Sequence, residues 1–208
     1  MMREWPQKRS LILLRVAAAL LVVGVARLLA TVPPAGWELS LFREINGGGD
    51  LPKPLWWPVM QFGSLTGALV LASALAIGWS WSVGGRVAIA TGSAWAAAQL
   101  LKSTVGRGRP ASLGIDIVAR STETSGTGFP SGHAAVAFGA AVVVVAYLSG
   151  WWRLAPVAVA ILVALARVYV GVHLPLDVVG GAAVGVTLGS IVLSVLPAGA
   201  DRPEPWWA

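Results

Sequence analysis

Apolar residues in this chain run together rather than alternate. The runs are about 20 residues long, the length that carries an α-helix across the hydrocarbon of a bilayer. Six spans are predicted, at roughly 11–30, 64–83, 86–104, 132–149, 153–171 and 176–196. Tryptophans mark several edges, at Trp56 and Trp57, Trp79 and Trp81, and Trp151 and Trp152, as expected of an interfacial aromatic belt. Trp95 lies inside the third run and is expected to serve plain packing. The second and third runs are joined by Ser82-Val-Gly-Gly85, the fourth and fifth by Gly150-Trp-Trp152. Both links are short enough to predict antiparallel hairpins.

Two connections are longer. Within 31–63, Trp37, Leu41 and Ile45 share one helical face with Phe42 beside them, while Glu38, Arg43 and Glu44 point elsewhere. This pattern predicts a short helix lying in the membrane interface, broken at Asn46-Gly-Gly-Gly-Asp50. Residues 105–131 are rich in Gly, Ser and Thr and show no periodicity; a connection that long is usually functional or disordered. The last run carries Gly181, Gly185 and Gly189, a face small enough for close helix contact. Bundle packing is the expected use, with a homodimer interface as the alternative. The expected fold is all-α: a polytopic membrane protein, a six-transmembrane-helix bundle with a short interfacial helix, in a single domain over 1–208.

Composition agrees. The chain is 56% hydrophobic and 12% charged, against about 25% charged in soluble domains, and its mean hydropathy is +0.75. The first run follows Lys8 and Arg9 like a signal peptide, but it contains Arg15 and Arg27 and lacks a small-x-small cleavage site, so it reads as a retained span. The absence of cysteine excludes disulfides, a thiolate nucleophile and cysteine metal sites. With two histidines, no histidine-rich metal cluster is expected, nor any cofactor. The net charge of +6 is spread without a run, which argues against nucleic acid and leaves the bilayer as the partner. Six spans place both termini on one side. Lys and Arg then divide seven to eight, or seven to five once Lys102, Arg109 and Arg167 are set aside as functional. The positive-inside rule therefore favours cytoplasmic termini and an outward site.

In that topology four helix ends meet at one membrane face. Lys102 ends the third span and Arg109 follows it; Ser131, Gly132 and His133 open the fourth; Arg167 is near the end of the fifth; His173 lies in the next turn and Asp177 begins the sixth. Three cations can neutralise a phosphate without a metal, the arginines as planar forks and the lysine as a point charge. A helix start supplies unpaired amides and a favourable dipole, Gly132 lets the backbone approach, and the Ser131 hydroxyl adds a donor. His173 and Asp177 are four residues apart, so Asp177 can hold one imidazole nitrogen and leave the other to attack. His133 would then protonate the leaving oxygen. Singly, each residue has a plainer account: a snorkelling arginine, a lysine complementing a helix dipole, an aspartate cap. Their convergence favours a phosphate site.

Lys102-Ser-Thr-Val-Gly-Arg-Gly-Arg109-Pro110 resembles the first signature of the type 2 phosphatidic acid phosphatase superfamily, Pro130-Ser-Gly-His133 the second, and Arg167, five residues, His173, three residues, Asp177 the third. Ala166 stands where the family usually has serine. The resemblance implies a membrane lipid phosphatase. In it His173 forms a phosphohistidine, Asp177 supports His173, and His133 protonates the leaving group. Lys102, Arg109, Arg167, Ser131 and the Gly132 amide hold the phosphoryl oxygens, and no metal takes part. The substrate expected is a polyprenyl diphosphate such as undecaprenyl diphosphate, on the outer face of a bacterial inner membrane. Phosphatidic acid, phosphatidylglycerol phosphate and phosphotransfer to another lipid are the alternatives. A lipid-binding or transport module that only binds phosphate is the alternative of another class.

Overall fold

Each apolar run becomes a helix, the form in which a segment in lipid satisfies its own backbone groups. The structure, a computed structural model, describes residues 9–30 and 33–196. Arg3, Lys8 and Arg202, used in the charge comparison, lie outside the described residues. The helices are α1 (Arg9–Leu29), α2 (Gly36–Asn46), α3 (Lys53–Gln61), α4 (Leu65–Gly78), α5 (Trp81–Val105), α6 (Gly132–Val145), α7 (Leu154–Tyr169) and α8 (Pro175–Val195), with short 3-10 turns at Ala111–Leu113 and Gly150–Arg153. No β-strand forms among the described residues; Gly108 and Thr127 make one isolated antiparallel bridge.

The segments Gly150–Tyr169 and Pro175–Val195 are each long and apolar enough to cross a membrane. Helices α3 and α4 pass that test together, bent by 68° at their junction. Helix α6, with 14 residues, rises only about 21 Å, short of a bilayer core about 30 Å thick.

One predicted boundary moves. Ser82-Val-Gly-Gly85 is not the hairpin turn; it lies inside α5, and the chain reverses at Trp79 and Ser80. Ser80 caps α5, its hydroxyl accepting the Ser82 amide at 3.3 Å. Gly84 is small for packing: a Cβ there would stand 2.4 Å from the Ala72 carbonyl oxygen of α4.

Helix α8 lies at the centre, against α1, α5 and α6. The glycine stripe serves this bundle. A Cβ on Gly181 would meet the Ser131 carbonyl oxygen at 2.2 Å, and one on Gly185 the Ala135 carbonyl oxygen at 2.3 Å. Helix α6 thus presses its backbone onto α8, which brings Ser131, Gly132 and His133 beside the start of α8.

The short helix α2 forms where expected, but its faces divide differently. Glu38, Phe42 and Asn46, at i, i+4 and i+8, are its buried face. Trp37 and Leu41 face outward, 53% and 40% exposed. Phe42 packs with Ala134, Val168, Leu174 and Val178, so α2 seats on the ends of α6, α7 and α8. Glu38 goes inward with it, opposite to the expectation that it turns away from the apolar surface.

Candidate active site

The long connection between α5 and α6 is ordered and tied down. The Gly128 amide donates to the Arg107 carbonyl at 2.7 Å and the Arg109 amide to the Gly126 carbonyl at 3.0 Å. Asn46 Nδ2 donates to the Val118 carbonyl at 3.0 Å, and the Val118 amide returns to Asn46 Oδ1 at 2.8 Å. Arg120 donates to the carbonyls of Asn46 and Tyr169, reaches Asp50 at 2.9 Å and stacks over the Tyr169 ring at 4.1 Å. These bonds fix where Arg107, Arg109 and Glu123 stand.

Beneath this connection is a cavity of about 170 Å³ lined by Lys102, Arg109, Gly132, His133, Arg167 and His173, together with Glu123, Trp95, Gln99 and the Gly63–Leu65 turn. Six of the eight residues expected at the site therefore share one wall. Lys102 comes from the last turn of α5, Arg167 from α7, His173 from the turn between α7 and α8. Gly132 and His133 open α6.

The other two stand behind the wall. Ser131 is fully buried and caps α6, its Oγ accepting the Ala134 amide at 3.4 Å. It does not line the cavity, because the helix start uses its hydroxyl. Its amide donates to the Asp177 carbonyl at 2.8 Å, which pins α6 to α8. Asp177 sits in the first turn of α8, where Oδ2 accepts the Leu174 amide at 2.9 Å. The same oxygen faces His173 Nδ1 at 3.5 Å, longer than a formed hydrogen bond. Nδ1 has no other partner, so Nε2 is the nitrogen left for the cavity. Burial, then the charges of Arg167, Lys102 and Arg109, hold His173 well below its ordinary value. It is a neutral imidazole at neutral pH, as a nucleophile must be.

Glu123 was not foreseen. Its carboxylate accepts from Arg167 at 2.8 Å and lies 3.5 Å from Arg109; Arg109 also donates to the Glu123 carbonyl. Burial pushes the Glu123 carboxyl up, but Arg167, bonded to it, holds it below its ordinary value. An anion thus already spans two of the three cations. Trp95 and Gln99 were missed as well. They precede Lys102 by seven and three residues, the spacing of one helical face, and that stripe marks them. Trp95 is 40% exposed and fronts the cavity rather than serving plain packing.

Asp177 Oδ1 accepts from Arg107 at 3.0 Å, and Arg107 grips Glu38 at 2.6 and 3.1 Å. All three side chains are buried, at 1% exposure or less. Nothing in the sequence pattern singled out this chain of charges. Gly128 makes room for it, since a Cβ there would stand 2.7 Å from Asp177 Oδ2.

The family profile described as the PAP2 superfamily matches residues 81–200, which include every cavity residue from Trp95 to His173. The chain belongs to the PAP2 superfamily. Two solved structures are similar to it. LpxE of Aquifex aeolicus shares 28% identity over 79% of this chain and 99% of its own, with a TM-score of 0.71. A transmembrane PAP2-type phosphatidylglycerolphosphate phosphatase from Bacillus subtilis shares 20% identity over 87% and 95%, with a TM-score of 0.73, a likeness of fold. No curated protein sequence matches the chain. With two helices long and apolar enough to cross a bilayer in a chain that is 56% hydrophobic, the protein is an integral membrane protein.

Proposed function

We propose that this protein is a lipid phosphatase that works through a phosphohistidine. The observation that carries the reading is the cavity itself, where Lys102, Arg109, Arg167, His133 and His173 share one small space. Arginine forks that grip the Glu123 carboxylate suit a phosphoryl group equally. Binding alone would need the cations; the paired imidazoles backed by a buried carboxylate favour chemistry.

His173 Nε2 attacks the terminal phosphorus, and the bond from that phosphorus to the leaving oxygen breaks, the bridging oxygen of a lipid diphosphate or the ester oxygen of a lipid monophosphate. His133 gives that oxygen its proton. Water then attacks the phosphohistidine, His133 takes the water's proton, and inorganic phosphate leaves. Lys102, Arg109, Arg167 and the Gly132 amide hold the phosphoryl oxygens throughout, with Ser131 fixing the helix start that presents that amide. Asp177 orients His173 and stabilises it as charge develops. The residues suffice without a metal.

An apolar cavity of about 270 Å³, lined by Phe62, Leu71, Ala137, Val144 and Pro156 among others, fits a lipid tail. Ala137 is one helical turn from His133 and Phe62 is next to Gly63 of the phosphate cavity. The preferred substrate is a polyprenyl diphosphate, met on the outer face of a bacterial inner membrane by a six-span bundle with cytoplasmic termini. The distribution of Lys and Arg supports that orientation.

Phosphate release from purified protein tests the reading. His173→Ala is expected to abolish release while leaving the thermal transition in place. A variant that turns over at the wild-type rate overturns the mechanism. A panel of undecaprenyl diphosphate, phosphatidic acid and phosphatidylglycerol phosphate tests the substrate, and a preference for either phospholipid refutes the diphosphate assignment.

A further inference from the structure

Three charged side chains are buried together behind His173, and only one of them belongs to the family signatures. Arg107 sits in the variable part of the first signature, Glu38 on α2, and they are 69 residues apart. Glu38 Oε1 and Oε2 receive both terminal nitrogens of Arg107, at 3.1 and 2.6 Å, and Arg107 Nη1 reaches on to Asp177 Oδ1 at 3.0 Å. Glu38 Oε1 also accepts the Leu176 amide at 3.0 Å. Asp177 Oδ2 accepts the Leu174 amide. The two carboxylates therefore divide the unpaired amides of the first turn of α8 between them.

A buried ion pair is a poor way to gain stability, because desolvation consumes most of the attraction, and apolar residues of the same volume serve as well. This network has a directional consequence that apolar packing would lack. Arg107 alone would cancel the charge of Asp177; Glu38 restores it. The trio carries a net charge of one negative unit, delivered through a carboxylate whose two oxygens are both held.

We propose that Glu38 and Arg107 are positioning residues for the nucleophile, and that the interfacial helix α2 is thereby part of the catalytic apparatus. The inference rests on the phosphatase reading above. Neither residue lines the phosphate cavity, so their contribution passes through Asp177 to His173 and not through substrate binding. The outer face of α2, Trp37 and Leu41, remains exposed, while its inner face grips the first turn of α8 through Glu38.

The test compares Glu38→Gln with the double variant Glu38→Gln/Arg107→Gln. The groups that face His173, namely Asp177, Arg167, Lys102, Arg109, Glu123 and His133, are the same in both. Glu38→Gln leaves the trio neutral, which disfavours imidazolium. Its kcat is expected to fall roughly 10- to 100-fold, the effect of misplacing a reacting group by about 1 Å, with KM nearly unchanged. The acid limb of its kcat/KM profile is expected to move to lower pH. The double variant returns the trio to one negative charge, so its acid limb is expected to return toward wild type while kcat stays low. A merely structural role would reduce the folded, active fraction and leave the profile in place, and that result overturns the proposal. So does wild-type kcat in Glu38→Gln. If instead the wild-type protein releases no phosphate from any lipid phosphate, or His173→Ala keeps its turnover, the phosphatase reading fails first.

Discussion

Replacing Gly185 with alanine asks how closely α6 and α8 must approach for the site to exist. The added Cβ would stand 2.3 Å from the Ala135 carbonyl oxygen, 2.8 Å from the Gly139 amide nitrogen and 3.0 Å from the Phe138 Cβ, whereas ordinary contact begins near 3.4 Å. Two of these neighbours are backbone of a regular helix and cannot swing aside. The helices must therefore separate by about 1 Å, and overpacking of this kind costs about 1–3 kcal/mol. The same separation strains the bond from the Ser131 amide to the Asp177 carbonyl at 2.8 Å, which ties His133 on α6 to Asp177 and His173 at the head of α8. A displacement near 1 Å between reacting groups can lower turnover about 100-fold. Thermal unfolding in detergent and initial rates of phosphate release should both fall for Gly185→Ala. Gly92→Ala is the comparator: nothing lies within 4 Å of its Cβ, and alanine there gains up to about 1 kcal/mol of helix propensity. If Gly185→Ala unfolds at the wild-type temperature and keeps the wild-type rate, the close α6–α8 contact is wrong, and with it the account of how the two histidines are brought together.

Three further outcomes are expected. The acid limb of kcat/KM that reports His173 should lie below pH 6.5, its ordinary value, because burial and the neighbouring cations disfavour the protonated imidazole; protonation on falling pH then removes the nucleophile, and a limb above 6.5 contradicts this environment. Arg167→Lys keeps the charge but loses the fork, and one charge-assisted hydrogen bond, about 1.5–3 kcal/mol, corresponds to a loss of roughly 10- to 100-fold in kcat/KM; an unchanged value would remove Arg167 from phosphate binding. Phosphate release should persist in excess chelator and be inhibited by vanadate, which adopts the five-coordinate geometry of the displacement, and strict dependence on a divalent ion would refute the proposed chemistry.

Much of the candidate site was legible because helix ends are legible. Lys102, Gly132, His133, Arg167 and His173 each lie at a boundary between an apolar run and a polar turn, and boundaries of antiparallel helices gather at a common face. The same logic misplaced the turn before α5. Gly84 and Gly85 look like a hairpin, yet glycine also serves where two helix backbones touch, and only the partner Ala72 reveals which use applies. The periodicity of residues 37–45 foretold a helix, but not that Phe42 would be buried while Trp37 and Leu41 stay exposed. It also sent Glu38 to the polar side, because an isolated amphipathic pattern holds no information about a guanidinium 69 residues away.

What the sequence by itself determined was chemical: apolar runs that must be helices in lipid, since backbone groups have no other partner there, and cations, imidazoles and a carboxylate at spacings suited to phosphate. Only the tertiary structure decided which of those groups face the cavity and which stand behind it. Ser131 was withdrawn into a helix cap, Glu123 was brought between two arginines, and Glu38 and Arg107 were buried against Asp177. The physical reason is that a charge can be buried only beside its counter-charge, and the pairing of residues remote in the chain is set by how α2, the long connection and α8 pack, which no local pattern encodes.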